Sequence, residues 1–129
     1  MKKLVKKIKL ETTLEVITGL HIGDNSENVE IGGIDNGVIK LASKDNQPYI
    51  PGSSLKGKIR CLLEQEAGVS DVGGNDAVNN LFGITEDKKK NRPNMPSKII
   101  VRDAMLTEES KESLKACENL DMPFTENKW

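Results

Sequence analysis

The sequence predicts a mixed α and β fold, a βαβ unit interrupted by insertions. Residues 7–16 alternate cleanly: Ile8, Leu10, Leu14 and Val16 face one way, Lys7, Lys9, Glu11 and Glu15 the other. A period of two is the mark of a half-buried strand, and Thr12 and Thr13 add β-propensity. Leu55, Ile59, Leu62 and Leu63 recur at helical spacing and predict a helix with one buried face. Ile99, Ile100 and Val101 make residues 98–106 apolar on both faces near their start, as in a central strand. If the two strands lie parallel in one sheet, the crossover between them is right-handed.

The bulk composition limits what such a unit can be. With 129 residues the chain makes one domain, 1–129, with a modest core. Aromatic residues are only 3%, so that core is aliphatic. The net charge of −1 is less basic than a nucleic-acid binder usually carries. The distribution is uneven: residues 1–60 carry +3, 61–103 carry −1 and 104–129 carry −3. Cys61 and Cys117 stand far apart without a neighbouring His or a CxxC pair, which predicts two buried, reduced thiols rather than a zinc site. The basic opening resembles the start of a signal peptide, but Lys9, Glu11 and Glu15 interrupt any apolar run. No stretch reaches the length of a membrane span. The expectation is a soluble, cytoplasmic protein.

Taken in order, the first strand ends at Gly19 and Gly23, with His21 between them. Residues 19–50 read as a glycine-rich inserted loop containing Gly32-Gly33 and then Asp35. A short strand is expected over 39–42 and a turn over 44–48. Pro51-Gly-Ser-Ser54 opens the helix, with a serine as the expected N-cap. Lys56 and Arg60, four apart, share one face, while Lys58 projects elsewhere. Gly57 costs up to about 1 kcal/mol in a helix interior. Its small size suits close packing or the approach of a ligand. The helix is expected to end at Gly68. A short helix over 76–82 stops at Gly83. Residues 84–97, with two prolines and four cations, read as a mobile exposed loop. A weak helix pattern covers 107–120.

The chemistry concentrates in two places. An aspartate on a glycine loop is ordinarily a turn former, but Asp35 also suits a carboxylate beside a phosphodiester or a ligand for Mg²⁺. No second carboxylate or base lies close in sequence, which argues against an all-protein two-metal site. At 53–58, serine hydroxyls, lysines and the free N–H groups of a helix start converge, a pattern suited to phosphate. An ordinary capped helix with a solvated face gives the same pattern. The order of residues is not that of a P-loop. His21 suits either an exposed capping role or contact with a base or phosphate. The cations at 88–92 suit either a solvated loop or an RNA backbone. With few aromatics, any RNA is held by backbone contacts and shape.

Thr18-Gly-Leu-His-Ile-Gly23, Gly32-Gly-Ile-Asp-Asn36, Tyr49-Ile-Pro-Gly-Ser-Ser-Leu-Lys-Gly-Lys-Ile-Arg60, Leu81-Phe-Gly83 and Val101-Arg-Asp-Ala104 occur in that order. Together they resemble the RAMP-type backbone subunits of type III-A (Csm) CRISPR–Cas effector complexes. The resemblance implies an α+β fold, an RRM-like or ferredoxin-like palm with inserted loops. It implies a subunit that polymerises along crRNA with its own copies and other Csm subunits, and that cuts bound target RNA with a divalent metal, Mg²⁺. It implies no membrane or DNA contact. By position, Asp35 matches the cleavage aspartate, acting directly or through the metal. His21, Gly52, Ser53, Ser54, Lys56, Lys58 and Arg60 match positions that line the crRNA.

Asp24 and Gly37 depart from the residues common in the family. The tail from Phe124 resembles the family's mid-chain, so the second half of the family fold is expected to be missing. In a ferredoxin-like sheet the strands at 7–16 and 98–106 would not be neighbours. Such a chain is expected to fold poorly alone, to pair those two strands, or to be completed by a partner. An alternative reading is a non-catalytic homologue that enters or caps the complex and inhibits its assembly. A third is a fragment of a gene with no activity of its own.

Overall fold

The computed structural model describes residues 3–23, 37–89, 91–118, 120 and 124. Its order is β1 (Lys40–Leu41), a 3-10 turn (Ala42–Lys44), β2 (Gln47–Ile50), α1 (Gly52–Glu66), α2 (Asp76–Phe82), β3 (Ala104–Met105) and α3 (Glu108–Lys115). This is a small α+β arrangement with a three-stranded sheet in the order β1-β2-β3. Both pairings are antiparallel, with Lys40 opposite Pro48 and Ile50 opposite Ala104. The turn between β1 and β2 closes because Asp45 and Asn46 adopt φ of 51° and 55°. Short polar side chains tolerate that left-handed region better than most residues.

The helices follow the sequence closely. The segment predicted as a short helix over 76–82 is α2, and Gly83 ends it at φ 80°. Asn75 caps α2 by accepting from the Val78 N–H at 3.1 Å. Thr107 caps α3 in the same way through Ser110, and two acidic residues in its first turn suit the positive end of the helix dipole. The helix expected to run to Gly68 ends at Glu66, with Gly68 in a left-handed turn behind it.

The strands differ from expectation, and the reason is pairing. Residues 7–16 form no strand, and Ile8 and Leu10 are 73% and 89% exposed. Alternation prepares a segment to be a strand, but a ladder needs a free neighbour. β2 pairs with β1 on one side and β3 on the other, and neither outer strand pairs with residues 7–16. Of the segment 98–106, only Ala104–Met105 is strand, and it pairs antiparallel with β2 rather than with residues 7–16. The parallel βαβ crossover therefore does not occur among the described residues. Residues 84–97, expected as a loop, carry two antiparallel bridges, Ile84 with Met95 and Asp87 with Arg92.

The interior is thin and largely polar. Among the described residues the buried apolar side chains are Val78, Phe82 and Phe124, joined by buried Gln47, Glu64 and Asn79. The face of α1 expected to be buried is open: Ile59, Leu62 and Leu63 are all exposed. Cys61 and Cys117, expected to be buried, are exposed as well. The chain exposes 11280 Å². A compact chain of this mass exposes about 6,800 Å² by the usual surface scaling. Much of the apolar pattern legible in the sequence thus lies uncovered.

Candidate functional site

β2 runs directly into α1, so the sheet determines where the helix begins. Pro51, with φ −58° and ψ 135°, makes the corner, and no side chain caps the helix from that position. The cap comes instead from far along the chain. The Gly52 N–H donates to Asp103 Oδ1 at 2.7 Å, across 51 residues of sequence. The serine expected to cap the helix therefore does not do so: Asp103 holds that place, one residue before β3.

Gly52 is required there for packing. A Cβ at this position would overlap the Val101 carbonyl oxygen and lie 2.8 Å from the Arg102 carbonyl carbon. Side chains essentially never approach backbone so closely, so the start of α1 lies directly on residues 101–102. The pairing of Ile50 with Ala104 fastens the same two segments one step away. The motifs Pro51-Gly-Ser-Ser54 and Val101-Arg-Asp-Ala104 thus form one joint.

Beyond the joint, the first turn of α1 faces outward. Ser53, Ser54 and Lys58 are exposed, and among the described residues none of their side chains is engaged. Lys56 and Arg60 share a face, as their spacing predicts, and both reach toward residues 79–97. The Lys56 ammonium donates to Ser97 Oγ at 2.7 Å, and Ser97 Oγ donates on to the Ile99 carbonyl at 2.9 Å. An ammonium has three donors, so Lys56 keeps two for another partner. Among the described residues a Cβ on Gly57 would meet nothing within 4 Å. Close packing therefore does not explain this glycine.

Arg60 is differently placed. Its Nε donates to Glu64 Oε1 at 3.2 Å, one terminal nitrogen to the Gly83 carbonyl at 2.7 Å and the other to Asn79 Oδ1 at 2.8 Å. Glu64 Oε1 also accepts the Gly73 N–H, and Asn79 donates back to the Gly73 carbonyl, both at 2.8 Å. Side-chain exposure is 18% for Arg60 and 6% for Glu64, so the pair is largely desolvated and each charge has its counter-charge. The sequence pattern places Arg60 at the site but assigns no role to Glu64, Asn79 or Asp103. The spacing of Arg60 and Glu64, one helical turn apart, was the signal for the first. Nothing in the sequence pointed to Asn79.

The glycine-rich loop is described only at its ends. Gly23 and Val38 form an antiparallel bridge, and the Ile39 N–H donates to the Ile22 carbonyl at 2.9 Å. The base of the loop therefore runs straight into β1, and through β1 and β2 into the start of α1. His21 is exposed beside this bridge, with its Cε1 3.8 Å from where a Cβ on Gly23 would sit. Asp35, with Gly32 and Gly33, lies outside the described residues. Among the described residues no three His, Cys, Asp or Glu side chains gather as a metal site. No helix among them is long and apolar enough to cross a membrane.

An α+β unit that joins a glycine loop to an outward-facing helix start through a short antiparallel sheet is the class this geometry defines. The chain belongs to the RAMP superfamily, whose model matches residues 13–128. It is 42% identical over 113 residues to the CRISPR system Cms endoribonuclease Csm3 of Methanocaldococcus jannaschii, covering 80% of this chain and 44% of that protein. The protein of the same name from Methanothermobacter thermautotrophicus is 38% identical over 130 residues, with 85% and 52% covered. That from Enterococcus italicus is 32% identical over 131 residues, with 98% and 58% covered. The chain spans about half the length of the curated relatives it matches.

Proposed function

We propose that this chain is the crRNA-binding portion of a backbone subunit in a type III CRISPR interference complex, on an RRM-like palm, and that Asp35 serves the cleavage of target RNA. One observation carries the RNA-binding reading: the start of α1 is clamped from behind by Asp103 and residues 101–102, while Ser53, Ser54 and Lys58 face outward. A rigid backing with exposed hydroxyls, cations and helix-start N–H groups suits a phosphate chain, which is read by charge and position rather than by base. The Asp103 carboxylate occupies the first N–H, so phosphate oxygens are received further along, at Ser53 and Ser54 and by the lysines.

In this reading Asp35 removes the proton from a ribose 2′-hydroxyl, whose oxygen then attacks the adjacent phosphorus in line. The bond to the 5′ oxygen breaks and that oxygen takes up a proton, leaving a cyclic phosphate and a 5′-hydroxyl. A divalent metal, Mg²⁺, would lend charge stabilisation to the phosphate at Asp35. His21, next to the root of the same loop, is assigned to the crRNA side. Partners in this reading are crRNA, target RNA, further copies of the subunit and other Csm subunits.

The test is Asp35→Ala in an assembled complex loaded with crRNA. Target binding is expected to persist while cleavage falls at least about a hundredfold, the usual scale for losing a group that handles the proton. Undiminished cleavage with intact binding would sink the assignment of Asp35.

A further inference from the structure

Arg60 stands among the positions matched to crRNA contact, yet its surroundings describe another task. We infer that Arg60 is a positioning residue: through Glu64, Asn79 and Gly83 it latches residues 83–97 onto α1, and so determines where the Lys56 ammonium is held. This rests on the proposed RNA-binding role of Lys56 and changes the role of Arg60 within it.

Each of the three guanidinium nitrogens has a protein partner, drawn from α1, α2 and the residue that ends α2. Glu64 neutralises the charge at close range, so the pair adds little to the field felt by a phosphate. From Gly83 the connection continues. A Cβ on Gly83 would lie 2.9 Å from both the Met95 carbonyl oxygen and Ser97 Cα, so this glycine lies against the strand returning from the 84–95 hairpin. The hairpin is closed at its base by Ile84 and Met95, which exchange two N–H···O bonds of 2.8 Å. The Lys98 N–H donates to the Leu81 carbonyl at 2.9 Å and keeps the return against α2. Between these bonds sits Ser97, whose hydroxyl holds Lys56. Lys56 and Arg60, one turn apart on α1, therefore grip the same segment, Arg60 at its root and Lys56 at its exposed edge. An arginine suits the root because its planar fork spreads donors over three nitrogens and reaches three separate acceptors, whereas the three donors of a lysine sit on one nitrogen.

A salt titration separates the two roles. Removing one cation that pairs with a phosphate of single-stranded RNA lowers the slope of log affinity against log salt by about 0.7. Binding of a labelled single-stranded RNA by the full chain is measured across a salt series, together with amide hydrogen exchange. Lys58→Ala is expected to lower the slope by that amount and to leave exchange at Ile84 and Met95 unchanged. Arg60→Gln and Asn79→Ala are expected to behave alike: both lose protection at Ile84 and Met95, and both change RNA binding to the same extent. Arg60→Lys keeps the charge and is still expected to lose that protection.

The inference is overturned if Arg60→Gln lowers the slope while Asn79→Ala does not. It is equally overturned if Arg60→Lys keeps full protection. If the unsubstituted chain binds no RNA, the function proposed above fails, whereas the exchange arm still decides whether Arg60 latches the hairpin.

Discussion

Two regions of this chain carry equally clear sequence patterns and meet opposite fates. Residues 52–98 hold two helices and a bridged hairpin, fastened by Arg60, Glu64 and Asn79. Residues 3–20 carry eight apolar side chains that are half or more exposed, and form no strand. A helix satisfies its backbone within itself, so α1 forms even with Ile59, Leu62 and Leu63 uncovered. A strand satisfies its backbone only against a neighbour, and no described strand pairs with residues 3–20. Local periodicity thus sufficed for the helices and did not suffice for the first strand.

The contrast is most exposed to test at the polar node. Glu64→Ala leaves the Arg60 guanidinium without its counter-charge and the Gly73 N–H without an acceptor. A loss of about 3–5 kcal/mol is expected, the scale for breaking a buried pair from one side. Urea unfolding would measure it, and a loss below about 1 kcal/mol would mean that the node holds little.

Next comes the joint behind the helix start. Gly52→Val drives a side chain into the backbone at residues 101–102 and is expected to cost about 2–3 kcal/mol, by overpacking a site that has no room to relax. An unchanged unfolding midpoint would show that α1 and the segment before β3 are not joined.

A smaller effect of opposite sign belongs to Gly57. Among the described residues nothing fills the space around it, so Gly57→Ala is expected to stabilise the chain by about 0.5–1 kcal/mol through helix propensity. If the RNA backbone approaches this turn of α1, the same substitution weakens RNA binding. Stabilisation with unchanged binding would place the RNA elsewhere on the helix.

Smallest is the change in the uncovered region. Ile8→Lys removes an apolar side chain that is already in water, and is expected to shift stability by less than about 0.5 kcal/mol. A loss of more than about 2 kcal/mol in thermal or urea unfolding would reveal that residues 3–20 are packed in solution, and the contrast between the two regions would collapse.

Much of this was legible from residue order. The helix over 76–82 with its stop at Gly83, the helix beginning at the Pro51-Gly-Ser-Ser54 corner and the shared face of Lys56 and Arg60 all follow from local spacing and turn residues, although the expected serine cap of α1 does not form. The motifs from Thr18 to Ala104 carried the family. The partners did not follow. Asp103 as the cap of Gly52, Asn79 as the acceptor for Arg60 and Ser97 as the seat of Lys56 join residues 19 to 51 positions apart, and no local pattern encodes such distances. The exposure of Cys61 and of the apolar face of α1 was equally hidden, since burial depends on what covers a surface as well as on its composition.

By itself, then, the sequence determined which segments become helices, which residues share a helical face, and which chemistry gathers at residues 52–60. Those properties depend on neighbours within one or two turns. The tertiary structure alone decided which apolar segment became a strand, and that Arg60 faces inward while Ser53, Ser54 and Lys58 face out. Those outcomes depend on competition for backbone partners and for interior space, and that competition is settled only when distant segments meet.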